Sequence, residues 1–300
     1  YRGYPVTDYG RALITPAFSD LHIHAPQFLQ RGTAMDLLLS DWLNQYTFPQ
    51  ESRFADPRHA EKVYSLLVKD MVKNGTFHAS VFGTIHREAS NILFEKMADA
   101  GMYGYVGKVN MDRNAAPGVL EETTEESISE TLRWLDACDR FEHIKPMLTP
   151  RFIPSCTDEV MAFLGKVAKE RNLPMQSHIS ENDKEIEWVR ELHPVCERYW
   201  ETYAKFGLWD ERTVMAHCVW SDEVERKAMK DAGVTVVHCA DSNQNVSSGF
   251  APVRVMLNEG LKVTLGSDIA GGDHLNMFDV VTSSIRASKI RYMADNKQTP

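Results

Sequence analysis

Short β-branched apolar runs alternate along the chain with longer stretches whose apolar residues recur at three- and four-residue spacing. The runs near 16–24 (PAFSDLHIH), 76–84 (TFHASVFGT), 104–111 (GYVGKVNM) and 144–152 (IKPMLTPRF) read as strands. Four more lie near 174–180, 213–219, 234–240 and 261–267. Between them, 124–141 places Ile128, Leu132 and Leu135 on one helical face. The stretch 157–172 opens on an N-cap-type Thr with an acidic first turn and ends in Lys and Arg. A third, 221–233, starts with Ser and stops at Gly. Eight strands alternating with helices predict parallel βαβ units. A closed (β/α)8 barrel, which takes ~250 residues, fits the 300-residue length. An open doubly wound sheet is the alternative, because alternation alone does not show closure. The connection from about 26 to 74 carries Met35, Leu37, Leu38, Leu39, Trp42 and Leu43, which predicts an inserted helical segment over one end of the barrel. Residues 16–300 are therefore read as one barrel.

Composition narrows the function classes. The chain is 43% hydrophobic, enough for one large core, yet no apolar run reaches the ~18 residues of a membrane span. Net charge is −9 and no Lys/Arg cluster occurs, which argues against a nucleic-acid partner. The five cysteines are odd in number and form no CxxC pair. They read as free thiols in a reducing compartment, so a cytoplasmic location is expected. The start at Tyr1-Arg2-Gly3-Tyr4 and the polar tail 295–300 give the expectation that outer segments of a longer protein are absent.

Function in a barrel collects at the C-terminal ends of the strands. The first strand ends in His22 and His24, two apart and so on one face. Alone, such a pair is a weak sign of a metal. Three further strand ends strengthen it: His178 on the fifth, His217 on the sixth and Asp268 on the eighth. Neutral imidazoles with one carboxylate suit zinc, and also iron or another divalent ion. Glu181, three residues after His178, can turn back into the same mouth as a proton carrier, the plain alternative being a cap on the helix that follows. A bound divalent ion lowers the pKa of water to roughly 7. His59, His78, His86, His143, His193 and His274 are read as ordinary structural or surface histidines, and His238 as structural but near the site.

This set resembles the amidohydrolase superfamily, and the HxxE form at the fifth strand resembles its single-metal deaminase branch. Lys145 stands at the start of the fourth strand, not at its end where a bridging lysine would hold a second metal. Longer pieces, 22-HIHAPQ-27, 42-WLNQYTFPQESRF-54, 149-TPRF-152, 177-SHISEN-182, 214-VMAHC-218 and 266-GSDIAGG-272, are similar to the guanine deaminase family, although Ala240 stands where that family more often has Pro. The resemblance implies one zinc per chain, with iron the alternative ion, held by His22, His24, His178 and Asp268, and His217 as a weaker ligand or hydrogen-bond donor. It implies Glu181, Asp268 and His217 as the catalytic groups, and Gln27, Arg151 and Phe152 as binders of the purine beside His178. Arg151 can only donate and so suits a carbonyl oxygen; Gln27 donates and accepts; Phe152 offers a flat apolar face, or is simply core. The implied reaction is hydrolysis of guanine to xanthine and ammonia, in a homodimer. By the same resemblance the small terminal β-sandwich would be missing here, with residues 1–15 the remnant of its N-terminal segment. Rival readings are a related amidohydrolase acting on a pterin, triazine or cytosine, and a non-catalytic barrel scaffold. The cytidine-type zinc site is set aside because no PCxxC occurs.

Overall fold

A computed structural model describes residues 3–295 of the chain. The strands are β1 (Phe18–His24), β2 (Thr76–Phe82), β3 (Tyr103–Gly107), β4 (Val109–Asn110), β5 (Ile144–Pro146), β6 (Thr149–Pro150), β7 (Met175–Ile179), β8 (Thr213–His217), β9 (Thr235–His238) and β10 (Lys262–Leu265). Every pairing is parallel. They run in the orders β1-β2-β3-β5 and β7-β8-β9-β10, with β4 beside β6. One seam between the halves is bridged at Leu148 and Met175. At the other, Asp268 N donates to His22 O at 2.8 Å and His24 N to Ile269 O at 3.0 Å. The circuit is a (β/α)8 barrel, as the alternation predicted, and not an open sheet.

The third and fourth expected strands each break in two. Pro146 and Pro150 have no N–H to give to a ladder. At the other break, Lys108 turns into the interior to reach Glu121 at 2.5 Å. Strands five to eight also stop short of the expected ends. Ser180, His217, Cys218 and Asp268 have φ of 49°, 73°, 50° and 48°. These left-handed conformations are unusual for non-glycine residues and cannot continue a strand.

The helices follow their start and stop signals closely. Thr123 caps Thr124–Cys138 and Thr157 caps Asp158–Arg171. The third helix, Glu223–Ala232, is capped by Asp222, one residue after the expected Ser221, and stops at Gly233 in the left-handed region. Between β1 and β2 lie several short helical turns, Leu39–Trp42 and Phe48–Ser52 among them, then the helix Pro57–Lys73, which buries Val63, Tyr64, Leu67 and Met71. Those side chains share the main core with Ile23, which lies between the two histidines of β1 and on the opposite face. Of residues 1–15, expected as the remnant of a β segment, the described ones, 3–15, form no strand here. A strand needs a partner, and Val6, Leu13 and Ile14 stand open to solvent. Tyr1, Arg2 and the tail 296–300 lie outside the described residues.

Candidate active site

The left-handed residues mark where the site is built. Each ends or follows a strand; His217 and Asp268 turn their side chains over the barrel mouth, while Ser180 reaches Glu225 at 2.8 Å and Cys218 packs into the core, and strained backbone of this kind clusters at functional sites. His22 Nε2 and His24 Nε2 lie 3.2 Å and 3.5 Å from Asp268 Oδ1. His24 Nε2 faces His178 Nε2 at 3.1 Å. His217 Nε2 stands 3.7 Å from Asp268 Oδ2 and 3.6 Å from Glu181 Oε2. The five ligand-type residues read from the strand ends are thus brought to one place, and all are buried.

Burial holds His22, His24 and His178 below the ordinary imidazole value, toward the neutral form that ligates a metal. His22 Nε2 has no hydrogen-bond partner. His178 Nδ1 meets the Arg151 carbonyl at 2.5 Å, which places the proton on Nδ1 and leaves Nε2 a lone pair aimed into the cluster. Burial opposes ionisation of Asp268, but the surrounding histidines outweigh it and hold its carboxyl well below the usual range. Neutral nitrogens, one of them orphaned, around an ionised carboxylate are what a divalent cation satisfies, and the donor set fits one. Cys239 lies within reach of His217 and Asp268, but burial keeps its thiol protonated. Lys145 is exposed and donates to Phe141 O, away from the cluster.

Glu181 is buried beside the cluster, and burial raises its carboxyl. It accepts from Ser248 Oγ at 3.0 Å, while its backbone N–H donates to Glu185. It does not cap the next helix: Asn182 does, accepting from Glu185 N. For His217, burial pulls the ring down, but the charges of Glu181 and Asp268 and a 2.9 Å bond to Asn243 raise it overall. His238 is buried with neither ring nitrogen partnered, and its pKa is lowered to about 4 by burial.

A cavity of about 240 Å³ opens over the cluster. Gln27, Arg151 and Phe152 line it together with His24, Glu181 and Asp268. Phe152 is only partly buried and meets Trp188 edge-on at 5.9 Å, so it is a pocket wall and not core. The short turns after β1 supply the opposite wall through Leu38, Leu39, Trp42 and Leu43. Sequence reasoning gave no role to Glu51, Asn243, Ser248 or Trp188. Glu51, Asn243 and Ser248 stand inside runs that resemble the guanine deaminases (42–54, 242-SN-243 and 247-SSGF-250), but no spacing tied any of them to the site.

Residues 13–299 match the amidohydrolase family. The chain belongs to that family. A guanine deaminase of Dictyostelium discoideum is 43% identical over 297 residues, 98% of this chain and 66% of that protein. One from Escherichia coli is 33% identical over 287 residues, 95% of this chain and 65% of that protein. The chain thus spans just under two thirds of these relatives' length. Among solved structures, guanine deaminase from C. acetobutylicum, with guanine bound in its active site, superposes with a TM-score of 0.97 at 42% identity. The match covers 100% of this chain and 72% of that one.

Proposed function

We propose that this chain carries the catalytic barrel of a guanine deaminase, converting guanine and water to xanthine and ammonia with one zinc ion. Iron is the alternative ion for the same ligands. The observation that carries the reading is the convergence on one cavity of His22, His24, His178 and Asp268 with Arg151, Gln27 and Phe152. Guanine deaminases at 33–43% identity support it, as does the structural relative holding guanine.

His22, His24, His178 and Asp268 would hold the metal. When bound, the ion supplies water acidified toward a pKa of roughly 7. Arg151 and Gln27 orient the purine by its polar edge, and Phe152 and Trp188 cover the flat ring. Glu181, fixed by Ser248 and poised toward the protonated form by burial, delivers a proton to ring N3, which makes C2 electrophilic. Asp268, ionised among the histidines, takes a proton as the water oxygen bonds to C2 and returns it to the amine as the C2–N bond breaks, and the proton left on the C2 oxygen passes to Glu181 as the carbonyl forms, restoring its acid form. His217, oriented by Asn243, donates a hydrogen bond to the oxygen added at C2. The four buried unpaired thiols, Cys138, Cys156, Cys218 and Cys239, support a reducing, cytoplasmic setting. The homodimer that the resemblance implies is a proposal of the same kind, which sedimentation equilibrium decides.

Ammonia release from guanine, with adenine, cytosine and a pterin alongside, tests the reading. Release from guanine alone is expected; release from another base instead would sink the substrate assignment. Glu181→Gln should keep its metal and lose about 10²–10⁴-fold in turnover. Full activity would remove Glu181 from the mechanism.

A further inference from the structure

We infer that Glu51 is a positioning residue that sets which purines the pocket accepts, by locking Arg151 and Gln27 into a single hydrogen-bonding register. The inference rests on the deaminase reading above. Glu51 is 4% exposed and arises from the turns after β1, between Arg151 and Gln27. Its Oε2 accepts from Arg151 Nη1 at 2.6 Å, and its Oε1 accepts from Gln27 Nε2 at 2.8 Å. Gln27 Oε1 in turn accepts from Ala270 N at 3.0 Å. The amide therefore cannot flip without breaking both bonds. The guanidinium also lies over the Phe48 ring, 5.3 Å from its centre.

Two consequences follow from counting donors. Arg151 has five N–H groups; Glu51 engages Nη1 and leaves the other edge of the fork for a carbonyl oxygen. Glu51 also neutralises a cation that is only 5% exposed, so the pocket edge is a neutral donor and suits an uncharged lactam over an anion. A base lacking the carbonyl leaves a buried donor unpaired, and discrimination of that kind is large.

The test compares guanine with 2-aminopurine, which has the same amino-bearing C2 and lacks the 6-oxo group. In the wild-type, zinc-loaded protein the kcat/KM ratio should favour guanine strongly. In Glu51→Gln that ratio should fall about tenfold or more, through a raised KM for guanine, with zinc content unchanged. Removing the charge leaves Arg151 buried and unpaired, which can cost the fold itself. Glu51→Asp keeps the charge but draws it back by one methylene, so it should fold and lose part of the ratio. An unchanged ratio in Glu51→Asp, or an equal loss on both bases, would overturn the inference. No ammonia from either base with the wild type would instead overturn the deaminase reading, and this inference with it.

Discussion

Burial raises the Glu185 carboxyl to about 7, and the neighbouring Glu181 charge adds to the effect. Tyr199 Oη donates to it at 2.6 Å without reversing the shift. The unfolded chain would release that proton near 4.5, so between about 4.5 and 7 the folded state binds more protons than the unfolded one. Stability contributed by this group is fully present below that window and is lost as pH rises through it. Glu185→Gln should therefore gain in thermal midpoint over the wild type as pH goes from about 5 to about 8. A difference that stays flat with pH would show that Glu185 is not the titrating group. The clustered histidines and Asp268 were legible in the sequence because each ends or follows a strand, where a barrel gathers its chemistry. Glu51 and Asn243 were not: each acts through a partner distant in the chain, and no local pattern marks such a pair.

At the level of elements, hydrophobic alternation was enough to place every barrel strand, while proline chemistry and one inward lysine decided where two of them break. The strand ends were less legible, because left-handed backbone at Ser180, His217 and Asp268 is fixed by tertiary packing and not by residue type. The approach of β10 to β1 adds a tight constraint. A methyl added at Gly266 would lie 2.7 Å from His22 Cβ and 2.9 Å from Val237 Cγ1. Gly266→Ala should then push β1 outward, lower stability by about 1–3 kcal/mol and weaken metal affinity by displacing His22. Calorimetry with zinc titration measures both. Lower stability with unaltered affinity would mean the strain is absorbed elsewhere.

Across the whole molecule, the candidate metal ligands join the two halves of the barrel, β1 belonging to one and β7, β8 and the segment after β10 to the other. No helix among the described residues is long and apolar enough to cross a membrane. Binding to the folded state alone stabilises by about 3–4 kcal/mol when free metal exceeds its dissociation constant 100- to 1,000-fold. Stripping the ion with a chelator should lower the thermal midpoint, and adding zinc back should restore it. A midpoint indifferent to chelation would mean the cluster does not couple to folding.

The seam where Asp268 N reaches His22 O has a consequence for the order of biosynthesis. A ribosome releases β1 well before the segment after β10, so His22 and His24 emerge long before Asp268, the carboxylate of the proposed set. Pairing residues so far apart in sequence is slow. Until that segment docks, the nascent barrel is an open ring with two unpaired edges, and a divalent ion would meet an incomplete set of ligands. On the metal reading proposed above, capture of the ion would follow closure of the ring.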